Sequence, residues 1–205
     1  MSSANQHIRT IVLKVNNSKP EPDKMKIAAK AIKDACLVAF PTETVYGLGA
    51  DALCSEAVSR IFRVKNRPLD NPIIVHVSSK NDVGKLVMEV PSIGRMLMDH
   101  LWPGPLTLIF KKKTDVPDIT TGGLDTVGIR MPSHPVAHML ISMAETPIAA
   151  PSSNLSGSPS HTTPKHVIDD LFGKVDVIID GGDTDIGVES TVLDILHKPP
   201  VLLRP

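Results

Sequence analysis

The chain has 205 residues, and its 22 lysines and arginines balance 22 aspartates and glutamates, so formal net charge is zero. That balance argues against non-specific clamping of nucleic acid, and 41% hydrophobic against 21% charged content describes an ordinary globular chain of one domain. No apolar run reaches the about 18 residues that span a bilayer, which excludes a helical membrane protein. Met1 to His7 are polar and lack the apolar stretch of a secretory signal. Cys36 and Cys54 stand apart, with neither a C-x-x-C pair nor a disulfide framework, so two reduced and buried thiols in a cytoplasmic protein are expected. Aromatics are only 3%, which leaves Val, Ile, Leu and Met to fill the core.

In chain order, apolar runs with period two or no break predict strands over Ile8–Val15 and Leu37–Phe40. Between them Met25, Ile27, Ala28, Ala31, Ile32 and Ala35 form the stripe of a helix that starts near Pro22. Ser55 is placed to cap a second helix carrying Ala57, Val58, Ile61 and Phe62, with its exit near Lys65. Further strands are expected over Ile73–Val77, Leu106–Phe110, Val127–Met131, Ile148–Ala150, Val175–Ile179, Thr191–Leu196 and Val201–Leu203. Further helices are expected over Ile93–Leu101, Pro135–Ala144 and Pro164–Phe172, two of them opened by proline at its favoured position. The Val127–Met131 run follows Leu106–Phe110 without an intervening helix, so a mixed sheet with helices on its faces fits better than a purely parallel one. No repeat or linker divides the chain.

Three patterns imitate known sites and fail in context. Gly47-Leu48-Gly49-Ala50-Asp51-Ala52 matches a dinucleotide fingerprint, but the helix cap at Ser55 comes too late for these glycines to open that helix. His134 and His138 have the spacing of a zinc pair, yet His134 leads into a proline-started helix and no glutamate lies between the two. Ser156 lacks the preceding glycine of a nucleophile elbow.

The segment Lys65-Asn66-Arg67-Pro68-Leu69-Asp70-Asn71-Pro72 carries more. Its prolines fix the backbone path, so Arg67 is preorganised for bidentate phosphate contact. Lys65 and Arg67 could instead only complement the helix dipole at an exposed helix end. Ser152-Ser153-Asn154 follows a short strand and offers hydroxyl and amide donors where sheet proteins commonly bind ligands, or else forms an ordinary turn. His76 and Arg130 lie in or after apolar strands, with a core histidine and a structural salt bridge as their competing readings. Lys111-Lys112-Lys113 is a local basic run or a solvated strand end.

Taken together the motifs resemble the YrdC-like threonylcarbamoyl-AMP synthases. They are Pro41-Thr42-Glu43-Thr44-Val45-Tyr46-Gly47-Leu48-Gly49, Lys65-Asn66-Arg67-Pro68, Asn71-Pro72-Ile73-Ile74-Val75-His76 and Leu101-Trp102-Pro103-Gly104-Pro105-Leu106-Thr107. Val127-Gly128-Ile129-Arg130-Met131-Pro132, Pro151-Ser152-Ser153-Asn154-Leu155-Ser156-Gly157, Gly187-Val188-Glu189-Ser190-Thr191-Val192 and Leu203-Arg204-Pro205 follow in order. The resemblance runs from about Val38 onward and is greatest to the two-domain branch. It implies a single catalytic domain over residues 1–205, either as a minimal version of the enzyme or with a linker and second domain absent after Pro205. The fold it implies is a three-layer α/β (α+β) domain, a twisted mixed sheet flanked by helices around a deep concave groove.

The reaction implied joins L-threonine, bicarbonate and ATP into threonylcarbamoyl-AMP and pyrophosphate, which a downstream transferase uses to modify tRNA. Lys65, Arg67, Ser152 and Asn154 are implied as the catalytic group. Together with Ser160, Asn71, Thr126 and Arg204 they would bind ATP. Thr44, His76, Arg130, Ala150 and Ser190 would bind threonine, Arg130 taking the carboxylate. Mg2+ would be held mainly by ATP phosphates, with no metal ligand assigned to the protein. Two alternatives are a protein of this fold that binds tRNA or double-stranded RNA, and a paralogue making another acyl-adenylate.

Overall fold

The computed structural model describes residues 8–205, so the polar start Met1 to His7 lies outside the described residues. The elements in chain order are β1 (Ile11–Lys14), α1 (Pro22–Lys33), β2 (Val38–Pro41), β3 (Tyr46–Asp51), α2 (Ser55–Lys65) and β4 (Val75–His76). Then come α3 (Lys80–Leu86), α4 (Ser92–Leu101), β5 (Leu106–Lys111), α5 (Asp118–Thr121), β6 (Thr126–Arg130) and α6 (Pro135–Ala144). The chain continues with β7 (Ile148–Ala149), α7 (Pro164–Leu171), β8 (Val177–Asp180), β9 (Thr191–Asp194) and β10 (Val201–Arg204).

All ten strands join one sheet in the order β1-β8-β2-β3-β7-β4-β6-β5-β9-β10. Pairings of both senses occur along it: β4 runs parallel to β6 and β5 parallel to β9, whereas β2–β3, β5–β6 and β9–β10 are antiparallel. The expected mixed sheet is therefore present.

Period-two side chains explain the three layers. Leu37 and Ala39 of the β2 segment enter one core with Ile178 of β8, whereas Val38 and Phe40 enter another with Val177 and Ile179. The second core is closed by α1 and α6, through Met25, Ala28 and Ile32 against Val136, Leu140 and Ile141. The first is closed by α2, α4 and α7, through Ile61, Phe62, Met98, Val167 and Leu171. On β4, β6 and β5, however, only alternate residues are core: Val75, Ile129, Val127 and Leu108 face the first layer. Their neighbours Ile74, His76, Gly128, Arg130 and Ile109 face an open groove on the side that α1 and α6 cover farther along the sheet. The groove is thus the half of one sheet face that received no helix.

Several expectations shift. Ser55 is the first residue of α2, and Cys54 is its cap without a side-chain hydrogen bond. His134 caps α6, its Nδ1 accepting from Val136 N–H at 3.2 Å, which accounts for it without a metal. Tyr46–Asp51 is a buried strand, so the glycine pattern there is no phosphate loop. The strand expected over Thr191–Leu196 ends at Asp194, and the first strand begins at Ile11. Helices α3 and α5 were not expected. Both thiols are free and half-buried, less enclosed than expected. Among the described residues no helix is long and apolar enough to cross a membrane.

Candidate functional site

The groove holds a cavity of about 420 Å³. Of the residues singled out in the sequence, Thr44, His76, Arg130, Ala150 and Ser190 line it. Arg67, Asn71, Thr126, Ser152 and Arg204 line it as well. Lys65, Asn154 and Ser160 lie behind the wall.

Arg130 ends β6 and is only 4% exposed, a position that demands a counter-charge. Glu43, itself 5% exposed, supplies it at 2.8 Å from Nη2. The guanidinium also donates to the Thr44 hydroxyl at 3.0 Å and, through Nε, to the Gly104 carbonyl at 3.3 Å. Its orientation is fixed on three sides, while a planar fork retains donors for a further carboxylate. Glu43 stood inside a quoted motif yet drew no role; an acidic residue in an otherwise apolar and hydroxyl-rich strand end was the available signal.

His76 stacks edge-on against Phe40, with ring centroids 6.5 Å apart. Burial, with Arg130 nearby, pulls its pKa down to about 3, so the ring is neutral across the working range. Its Nδ1 is buried and has no hydrogen-bond partner among the described residues. A neutral imidazole has one donor and one acceptor nitrogen, and either can read a hydroxyl group.

Lys65 is the main correction. The sequence placed it at an exposed helix end, but it is 2% exposed. Its position continues the stripe Ala57, Val58, Ile61 and Phe62 on the buried face of α2. Nζ donates to the Ser152 carbonyl at 2.5 Å and to the Asn154 carbonyl, so the ammonium clamps the Ser152–Asn154 turn. Desolvation, with Arg67 beside it, brings its pKa down to about 8. Asn154 in turn donates from Nδ2 to the Ser158 carbonyl at 2.5 Å and the Leu155 carbonyl at 3.1 Å.

Arg67 stays partly exposed and folds its own loop, Nη2 donating to Asn71 Oδ1 at 2.6 Å and to the Pro72 carbonyl at 3.0 Å. On the opposite wall Glu189, also given no role by the sequence, gathers Arg204 Nη1 and the Ser160 hydroxyl, the latter at 3.2 Å. Arg204 Nε donates to the Ser190 carbonyl at 2.7 Å, and Ser190 shares a 2.8 Å hydrogen bond with Thr107. One end of the cavity therefore presents a buried guanidinium among hydroxyls. The other presents cations, a serine turn and the carboxylate of Glu189; Asp194 also lines the cavity, and Ile74, Leu124, Val192 and Leu203 supply apolar wall. The Lys111-Lys112-Lys113 run is engaged elsewhere: Lys111 pairs with Asp125 at 2.5 Å, Lys112 with Asp118 at 2.6 Å, and Lys113 donates to the Gly84 carbonyl at 2.7 Å.

A family model described as telomere recombination, covering Sua5, YciO and YrdC, matches residues 30–205. The chain belongs to that family. It is 55% identical over 196 residues to the threonylcarbamoyl-AMP synthase of Pyrococcus abyssi, covering 96% of this chain and 57% of the relative. To the enzyme of that name from Bacillus subtilis it is 51% identical over 179 residues, covering 87% of this chain and 52% of the relative. The crystal structure of P. abyssi Sua5 complexed with L-threonine superposes with a TM-score of 0.93 at 54% identity, over 95% of this chain and 57% of that one. The chain thus spans about half the length of the curated relatives it matches. The expected YrdC-like fold is the one observed.

Proposed function

We propose that this chain carries the catalytic site of an L-threonylcarbamoyladenylate synthase. The observation that carries the reading is one cavity with two chemically distinct ends, a buried Arg130 fork among hydroxyls and a cationic serine turn, in a chain whose relatives bear that name. Threonine's carboxylate docks on Arg130, its hydroxyl on neutral His76, and Thr44, Ser190 and the Ala150 backbone frame its amine. The amine nitrogen takes up the carbon of bicarbonate with loss of water, giving a carbamate. A carbamate oxygen then bonds to the α-phosphorus of ATP as the bond to the β-phosphate bridging oxygen breaks and pyrophosphate leaves. No protein nucleophile takes part, so rate comes from positioning and from offsetting charge that builds on the phosphates.

Arg67, Asn71 and Ser152 face the triphosphate, with Lys65, Asn154 and Ser160 supporting that wall from behind. Thr126 and Arg204 frame the nucleoside. The donor set suits a Mg2+ that arrives with ATP: among the described residues no three acidic, histidine or cysteine side chains converge, and Glu189 offers a carboxylate beside the Ser160 hydroxyl. When bound, that ion would neutralise phosphate charge. The product would pass to a tRNA-modifying transferase in the cytoplasm.

The test is a product assay with ATP, bicarbonate and single amino acids. Pyrophosphate should appear only with threonine and bicarbonate together, and serine should be poorer by about 1–3 kcal/mol for its missing methyl. Equal turnover with several unrelated amino acids would refute the assignment.

A further inference from the structure

Directly behind the serine turn lies a buried chain of side chains that the reaction above does not use. Ser153 is wholly buried, whereas its neighbour Ser152 lines the cavity. The Ser153 hydroxyl lies 2.9 Å from His161 Nδ1, and His161 Nε2 lies 2.9 Å from Asp170 Oδ2 on α7. Backbone bonds tie both residues to β3: Ser153 N–H donates to the Tyr46 carbonyl at 2.8 Å, and Tyr46 N–H donates to the His161 carbonyl at 2.9 Å.

The tautomer follows from the partners. A carboxylate only accepts, so Nε2 carries the ring proton toward Asp170 and Nδ1 is left to accept from the Ser153 hydroxyl. Burial keeps the imidazole below its usual range, so this neutral arrangement holds near neutral pH. Serine, histidine and aspartate in line would suggest acyl transfer, but Ser153 has no exposed surface from which to attack anything. What the chain does hold is the base of a loop. Between Ser153 and His161 the residues Ser156, Gly157, Ser158 and Pro159 are exposed, and this loop leads back through Ser160 to the Glu189 wall. Lys65 clamps the carbonyls of Ser152 and Asn154 on one side of the turn. Among the described residues, His161 is the only group bonded to the side chain of the residue between them.

We infer that His161 is a positioning residue, which with Ser153 and Asp170 sets the Ser152–Asn154 turn and the loop behind it for a polyphosphate chain. The inference rests on the phosphate end assigned above. It separates that end from the amino-acid end, since Arg130, Glu43 and His76 share no hydrogen bond with His161 or Ser153.

The test titrates wild type and the variants His161→Ala, His161→Gln and Ser153→Ala calorimetrically with inorganic tripolyphosphate, ATP and L-threonine separately. His161→Ala should weaken tripolyphosphate and ATP by on the order of tenfold or more while leaving threonine within about twofold. His161→Gln should recover part of the loss, because its amide oxygen can accept from Ser153. If His161→Ala fails to fold, Ser153→Ala carries the same expectation with a smaller change in volume. Unchanged polyphosphate affinity, or equal loss for threonine and polyphosphate, overturns the inference. A wild type that binds tripolyphosphate but forms no adenylate with threonine would instead refute the proposed reaction, and the variants would still judge His161.

Discussion

Arg130 and Glu43 keep their charges in the interior because each is the other's counter-ion at 2.8 Å. Pairs of this kind contribute little net stability, but breaking one leaves a charge stranded away from water. Glu43→Ala should therefore cost about 3–5 kcal/mol in denaturant unfolding. A loss under about 1 kcal/mol would mean that water reaches the guanidinium. Arg130→Lys keeps the charge and removes the fork, so it tests recognition with less damage than truncation. Threonine affinity should fall by about tenfold or more, the loss of one charge-assisted bidentate contact, with ATP affinity nearly unchanged. Separate titrations with the two ligands check this, and a selective loss of ATP affinity would reverse the assignment of the two ends.

Helix α2 delivers Lys65 to the serine turn, and its burial makes stability depend on pH. The folded-state pKa near 8 lies below lysine's ordinary value of 10.5, so between these values the unfolded chain binds more protons. The cost of burying the ammonium is fully present below about 8 and is relieved as pH rises toward 10.5. Measured against Lys65→Met, wild-type stability should gain across that window, since other titrating groups are common to both proteins. A flat difference would place Lys65 at its ordinary pKa. Lys65→Met should also lower pyrophosphate release by on the order of a hundredfold or more, because the turn loses its clamp. The sequence carried this placement, as Lys65 falls on the stripe of Ala57, Val58, Ile61 and Phe62, but charge at a helix end outweighed periodicity. Strands such as Leu37–Phe40 were legible because both faces are apolar. Strand β3 was hidden by Gly47 and Gly49, which local pattern reads as a loop. Their cause is distant in the chain: a Cβ at Gly49 would sit 2.7 Å from both Phe40 and Ile148 side chains. Helix α5 has only four residues and no period to detect. Ser153, His161 and Asp170 were illegible for a similar reason, since only the fold brings α7 beneath the turn.

At the scale of the molecule, one face of a ten-stranded sheet is covered by α1 and α6 over β8, β2 and β3 and left bare over β4, β6 and β5. The same strands are therefore core on one side and ligand wall on the other, so filling the groove should not disturb the core. Gly128 on β6 tests this, because its missing side chain faces the cavity between Ile109 and Ile74. A Cβ there would lie 3.2 Å from Ile109 and 3.3 Å from Thr107 side chains, a contact that a few tenths of an ångström of movement relieves. Valine suits a strand and would occupy cavity volume. Ligands that bind only the folded state raise its stability by about 2.7 kcal/mol at a concentration of one hundred times Kd. Wild type should thus melt at a higher temperature with threonine and ATP present. Gly128→Val should melt within a few degrees of the wild-type apoprotein and show no ligand-induced rise. If the variant melts far below wild type, the two faces of β6 are mechanically coupled and the groove is part of the core. If it folds normally and still gains stability from both ligands, they bind outside this cavity.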